Sequence, residues 1–362
     1  MYRRLTRAIP VGNRTIGGDA PITIQSMTNC PAADFDGTVA QIRALEKAGC
    51  DIVRMAVPRE EDAQIFTYAK KAGITLPLVA DIHFDYKIAL TALRCGADKI
   101  RINPGNIGAP WKVEAVARAC KTAGIPIRIG VNSGSLDKKL LAKYGSPTAE
   151  ALAESALTQA EELEKYGFSD IVLSIKSSSV HKMIAACRIV ARESEYPLHL
   201  GVTEAGDAYS GLVKNAIGIG SLLAEGIGDT IRVSLTADVR EEVRAAREIL
   251  QSLGLYEKGG IDVISCPTCG RTAIGLIALH DACKKRLSVI DTHGRTFHVA
   301  IMGCVVNGPG EAREADFGIA GGDGCGIVFR HGEIVCKVPE DRLIDTLTAM
   351  IEEEIAKDNR NE

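Results

Sequence analysis

Apolar residues in this chain follow two alternating rhythms. Short runs rich in β-branched residues, five to seven long, read as strands over residues 22–26, 51–57, 77–83, 99–103, 126–131, 170–176, 198–204 and 230–235. Between most of them, apolar positions recur every three and four residues, which predicts helices over 38–48, 62–72, 87–95, 111–123, 149–166, 180–194 and 211–225. Strand and helix alternating eight times over about 250 residues predicts an α/β fold, a (β/α)8 TIM barrel, rather than an open doubly wound sheet. No glycine fingerprint for a dinucleotide follows the first run. One turn recurs before strands: Ala48-Gly49-Cys50-Asp51, Cys95-Gly96-Ala97-Asp98, Tyr166 to Asp170 and Glu225 to Asp229 each carry a glycine after the helix, the residue expected at a helix C-terminus.

The ends of the chain break this rhythm. Residues 6–21 carry Val11-Gly12-Asn13-Arg14 between short apolar pieces, a hairpin signal. A further amphipathic helix over 238–250 ends the barrel domain, taken as residues 1–253, and 254–260 reads as a linker. Residues 261–362 form a small α+β domain. It has a strand running into Cys266, a helix over 272–286 and a strand over 297–302 leading to Cys304. Short strands follow near 317–320 and 326–329, then a terminal helix over 340–357.

Composition narrows the class. With 46% hydrophobic and 25% charged residues, 362 residues hold enough apolar material for one large and one small domain. A net charge of −3 argues against general binding to nucleic acid or anionic membranes. Met1 to Arg7 is basic but no apolar signal core follows, and no apolar run reaches membrane-spanning length, so a cytoplasmic location is expected. Eleven cysteines, an odd number, fit reduced thiols. Cys50, Cys95, Cys120 and Cys187 read as small buried residues.

The most distinctive stretch is Ser265-Cys266-Pro267-Thr268-Cys269-Gly270-Arg271, answered by Gly303-Cys304 to Glu311. A Cys-x-x-Cys pair sets two thiolates on one tight turn, and a third in a separate Gly/Pro-rich loop lets two segments clasp one centre. Structural zinc, a redox dithiol and an iron–sulfur cluster are the three chemistries that use such an arrangement. A zinc ribbon supplies a second close pair, which Cys304 lacks, and a dithiol needs no third cysteine, so the counts favour the cluster. The fourth ligand stays open: Cys283, Cys325 and Cys336 are candidates by type, Glu311 by position. An oxygen ligand would be replaceable, leaving one iron open to a substrate.

In a TIM barrel, chemistry sits at the C-terminal ends of the strands. Those ends offer Arg54, Asp81, His83, Arg101, Asn103, Arg128, Asn132, Ser174, Lys176, His199, Thr203, Glu204, Arg232 and Ser234. Four arginines and a lysine converging there would repel one another unless an anion neutralises them, so a phosphorylated or diphosphorylated small molecule is the expected guest. Glu204 is the candidate acid or base, with pairing to Arg232 as its structural alternative. His83 and His199 read as orienting donors or core residues, since no partner spacing recruits them as metal ligands.

With these residues in view, the chain resembles the family of bacterial 4-hydroxy-3-methylbut-2-enyl diphosphate synthases of the non-mevalonate isoprenoid pathway. The likeness spans essentially the whole chain. It rests on Ser26-Met27-Thr28-Asn29, Asp51-Ile52-Val53-Arg54, Ala80-Asp81-Ile82-His83-Phe84, Arg101 to Asn106, Arg128 to Leu136, Leu200 to Gly206 and both cysteine loops. The resemblance implies a 4Fe–4S cluster held by Cys266, Cys269 and Cys304 with Glu311 as the noncysteine ligand. It also implies reductive ring opening of 2-C-methyl-D-erythritol 2,4-cyclodiphosphate with loss of water, electrons coming from a flavodoxin or ferredoxin.

By position, Arg54, Arg101, Arg128, Asn132, Lys176, Arg232 and Ser234 match the family's diphosphate-binding set. Thr203 and Glu204 match residues near the reacting carbons, where Glu204 is expected to help deliver a proton. A head-to-tail homodimer, one subunit's cluster domain covering the other's barrel, is implied as well. Cys30 departs from the family's pattern, and the long insertion of plant members is missing, which places the chain with the two-domain form. The competing reading is a barrel enzyme for a phosphorylated or pterin-like substrate with a structural zinc on the cysteine loops; a non-enzymatic cluster protein would have no need of the strand-end cations.

Overall fold

The computed structural model describes residues 2–256, 258–304 and 312–358. It divides into two compact units, one ending at Tyr256 and one beginning at Glu257.

The first unit is the expected barrel. A hairpin of β1 (Ile9–Val11) and β2 (Arg14–Ile16) precedes eight strands: β3 (Thr23–Met27), β4 (Ile52–Ala56), β5 (Leu78–Asp81), β6 (Lys99–Ile102), β7 (Ile127–Asn132), β8 (Ile171–Lys176), β9 (His199–Leu200) and β10 (Thr230–Ile231). They form one parallel sheet in the order β8-β7-β6-β5-β4-β3-β10-β9, and a Leu173–Leu198 bridge joins the two outer strands into a closed ring. Ile9, Val11 and Ile16 of the hairpin pack against Ile52, Val79 and Val172, which are buried near the starts of their strands. The hairpin thereby plugs the N-terminal end of the barrel with apolar side chains, leaving the other end for polar ones.

The recurring turn works as its sequence suggests, and its aspartate adds a second function. Gly49, Gly96, Gly167 and Gly226 have φ of 98°, 97°, 72° and 77°, the left-handed region that glycine enters without strain. Asp51, Asp98 and Asp229 then accept from the backbone N–H of Ile24, Leu78 and Leu198 at 2.8, 2.9 and 2.8 Å, pinning the start of the neighbouring strand.

β9 and β10 are shorter than the runs 198–204 and 230–235 predict. A side chain on Gly201 would meet the Arg232 carbonyl oxygen at 2.4 Å, and the Val202 N–H bonds the Asn215 side chain at 3.3 Å instead of a neighbouring strand. The chain therefore leaves the ladder at its C-terminal end and becomes loop, where the candidate residues Thr203 and Glu204 lie. Two short helices, Pro104–Ile107 and Lys138–Tyr144, have no counterpart in the apolar periodicity because each is under three turns long.

The second unit is a five-stranded sheet of β11 (Gly260–Ser265), β12 (Thr296–Met302), β13 (Phe317–Gly321), β14 (Cys325–Arg330) and β15 (Glu333–Pro339), in that order. The first three are parallel and the last two antiparallel. Leu276, Leu279 and Leu287 of the helix Leu276–Leu287, and Leu343, Leu347 and Ile351 of the helix Leu343–Asp358, bury against Val299, Ile301, Ile319 and Val328 of the sheet. β15 was not anticipated; most of its residues are exposed, so no half-buried alternation marks it. The first of these helices starts at Leu276 and not at residue 272, because Thr272 and Ala273 hold the cysteine loops together, as set out below. No helix among the described residues is long and apolar enough to cross a membrane.

Candidate active site and cluster loops

The C-terminal end of the barrel holds a cavity of about 150 Å³. Arg54, Arg101, Arg128, Lys176 and Arg232 line it from five strands or strand ends, together with Asn132 and Thr203. Asp81, His83 and Ser174 complete the polar lining. Period-two alternation explains the convergence: Arg101 pairs in register with Arg128, and Asn132 with Lys176, so their side chains enter the barrel at matched heights. Gly130 makes the space, since a side chain there would meet Arg101 Nε at 2.5 Å.

Two carboxylates organise these cations. Asp81 Oδ1 accepts from Arg101 Nη1 at 3.1 Å, and Oδ2 lies 3.6 Å from Arg54 Nε and 4.0 Å from His83 Nε2. Burial alone would raise the Asp81 carboxyl, but Arg54, Arg101 and Arg128 together hold it below the usual carboxylate range. Burial brings Arg54 down to about 10 although Asp81 opposes the shift.

Arg232 donates from Nη1 to Ser234 Oγ at 2.7 Å and from Nη2 to Glu242 Oε1 at 3.1 Å. Glu242 also accepts from Ser26 Oγ at 2.9 Å and from the Leu235 N–H at 3.1 Å. The partner of Arg232 is thus Glu242 and not Glu204. Glu242 was missed, and its signal was a carboxylate on the apolar stripe of its helix, between the buried Val239 and Ala246.

The remaining expected residues lie in different places. Thr203 reaches the cavity, whereas Glu204 stands exposed just beyond β9 with φ 54°, a left-handed backbone uncommon outside glycine. Ser234 orients Arg232. Asn103 is buried, and its side-chain oxygen accepts from the Gly105 N–H at 3.1 Å, capping the helix Pro104–Ile107. His199 is fully buried, with Nδ1 3.4 Å from Thr230 Oγ1, as a core histidine should be.

Not every buried cation has a protein partner. Arg128 Nε and Nη1 are buried without one and aim into the barrel interior, so the site leaves donors for an oxyanion.

In the second unit the two cysteine loops are tied to each other. The Gly303 N–H donates to Cys266 Sγ at 3.2 Å, the Ala273 N–H to the Gly303 carbonyl at 3.0 Å, and the Cys269 N–H to Thr272 Oγ1 at 3.1 Å. A backbone N–H aimed at a cysteine sulfur beside the second loop is the kind of contact that tunes cluster thiolates. Cys266, Cys269 and Cys304 are free thiols and each is at least partly exposed. Among the described residues no three His, Cys, Asp or Glu side chains are drawn into one metal-holding group. Glu311 lies outside the described residues. Of the other candidates, Cys283 sits in the hydrophobic core, with its thiol pushed up to about 11 by burial. By donor type and loop pairing, the thiols fit an iron–sulfur cluster.

The family model for the GcpE TIM-barrel domain matches residues 6–247, and that for the GcpE protein C-terminal domain matches residues 262–353. Curated relatives named 4-hydroxy-3-methylbut-2-en-1-yl diphosphate synthase (flavodoxin) match over nearly full length. That of Clostridium perfringens is 57% identical, covering 97% of this chain and 99% of its own. That of Symbiobacterium thermophilum is 55% identical, covering 98% and 95%. Among solved structures, dihydropteroate synthase from Thermus thermophilus aligns over 68% of this chain and 98% of its own at 17% identity and a TM-score of 0.51, a likeness of barrel fold alone. With both of its units matched by the family's two domain models, the chain belongs to the GcpE family.

Proposed function

We propose that this chain catalyses the reaction for which its relatives are named, the synthesis of 4-hydroxy-3-methylbut-2-enyl diphosphate from 2-C-methyl-D-erythritol 2,4-cyclodiphosphate in isoprenoid precursor biosynthesis. It is an oxidoreductase that draws electrons from flavodoxin, the donor in its relatives' names. The observation that carries the reading is the cavity where Arg54, Arg101, Arg128, Lys176 and Arg232 converge beside only two carboxylates, a site made for a diphosphate. The pterin-like alternative gains nothing from the dihydropteroate synthase fold, because shared barrels carry unrelated chemistry.

The cyclic dianion takes up two electrons and one proton and yields an open diphosphate trianion and water. Cys266, Cys269, Cys304 and Glu311 would hold a 4Fe–4S cluster, which would relay the two electrons one at a time from the flavodoxin. The rest falls to side chains. The guanidiniums and Lys176 grip the diphosphate and neutralise the charge that grows on it as the ring C–O bond breaks. Asp81 and Glu242 keep Arg101, Arg54 and Arg232 aimed, so little reorganisation accompanies that charge. Asn132 and Ser234 complete the diphosphate contacts. Thr203 and Glu204 stand by the reacting carbons, and Glu204 passes the proton to the departing hydroxyl.

Residues 1–253 serve as the substrate domain, 254–260 as linker and 261–362 as cluster domain. The enzyme works as a head-to-tail homodimer in the cytoplasm, where its cysteines stay reduced. Anaerobic iron and acid-labile sulfide analysis of wild type and Cys304→Ala tests the cofactor: about four of each per wild-type chain and loss in the variant are expected. One zinc with no sulfide would move the chemistry to the barrel and end the reductive mechanism.

A further inference from the structure

One layer below the diphosphate cavity lies a cation that the mechanism above does not use. Lys99 opens β6 two residues before Arg101, is fully buried, and pairs in register with Val79 of the apolar plug. Among the described residues no group partners its Nζ. With it, six cations face the barrel interior: Arg54, Lys99, Arg101, Arg128, Lys176 and Arg232. Among the described residues only Asp81 and Glu242 oppose them there, and both are engaged with arginines. His199, the remaining titratable group in this layer among the described residues, is held neutral by burial and by the Arg128 guanidinium. An excess of four buried or half-buried charges is costly, and a guanidinium cannot shed its proton whereas an amine can.

On the functional reading above, we propose that Lys99 is a positioning residue for charge: its amine is uncharged until the diphosphate enters above it, and then takes a proton from solvent. Burial, then Arg128 and Arg54, press the Lys99 ammonium well below its ordinary value, which agrees with this placement. Two phosphate charges entering among those arginines reverse the pressure. Because the opened diphosphate carries one more negative charge than the ring, the same amine is drawn further toward its charged form as the reaction proceeds. A rigid cavity can thus match both the dianion and the trianion. Lys176 is pressed the same way, by burial and then Arg232, but it lines the cavity itself, so the two amines must be separated by experiment.

The test is calorimetric titration of the cyclic diphosphate into oxidised, cluster-loaded protein at two mildly alkaline pH values, at each in buffers of different ionisation enthalpy. The slope of heat against buffer enthalpy counts protons taken up. Wild type is expected to take up about one proton or more, with affinity weakening by up to about tenfold per pH unit. Lys99→Met and Lys99→Arg are each expected to lower the count by about half a proton or more, the first because no amine remains and the second because its charge is permanent. Binding with zero slope in wild type, or an unchanged slope in both variants, would overturn the proposal while leaving the functional reading in place. No binding of the cyclic diphosphate to wild type would overturn that reading, and this inference with it.

Discussion

Asp81 accepts from Arg101 at 3.1 Å at the centre of the cationic cavity, and the same carboxylate lies 3.6 Å from Arg54. Since its folded value is depressed, the stability it contributes is present above the ordinary aspartate value and lost as pH falls through the lower folded one. Asp81→Asn should destabilise the protein by about 3–5 kcal/mol, because it leaves two buried guanidiniums without a counter-ion. Saturating cyclic diphosphate should restore more of the melting temperature in the variant than it adds to wild type. Calorimetric melting with and without the ligand measures both.

Glu242 anchors Arg232 from a helix that does not itself line the cavity. Glu242→Gln keeps the shape but removes the charge, and hydrogen bonds to charged groups contribute about 1.5–3 kcal/mol. A fall in kcat/KM of roughly 10- to 100-fold is expected from steady-state kinetics.

Gly130 gives Arg101 its room. In Gly130→Ala the added methyl would meet Arg101 Nε at 2.5 Å, and that flexible guanidinium can swing away more easily than the backbone can move. Affinity for the cyclic diphosphate should drop about tenfold or more while stability changes little, since one charge-assisted contact is lost and the fold is kept. Parallel binding and melting measurements separate the two.

These cases show what the chain order revealed and what it hid. The eight-fold alternation, the turn glycines and the strand-end cations could be read directly, since each depends on local spacing. Glu242, Lys99 and Gly130 depend on which strands become neighbours and how high each side chain sits in the barrel, and no local pattern encodes that. The cysteine loops lie between these extremes: Cys-x-x-Cys announces itself, but the Gly303 to Cys266 contact needs β11 and β12 side by side. Apolar neighbours at helical spacing predict helix at Thr272, whereas its hydroxyl accepts from the Cys269 N–H.

Glu204 holds a left-handed backbone at the cavity's edge and is exposed. Glu204→Gln can keep that conformation but cannot pass a proton. Turnover should fall about 100-fold or more with KM little changed, as for loss of a general acid. Unchanged turnover would remove Glu204 from the proton path.

The most direct measurement is anaerobic incubation of the cluster-loaded protein with 2-C-methyl-D-erythritol 2,4-cyclodiphosphate and reduced flavodoxin, following substrate and product by phosphorus NMR. The account predicts conversion to 4-hydroxy-3-methylbut-2-enyl diphosphate, about two electrons consumed per product, and loss of conversion in Cys304→Ala. Intact cyclic diphosphate in the presence of loaded protein and reduced flavodoxin would contradict it.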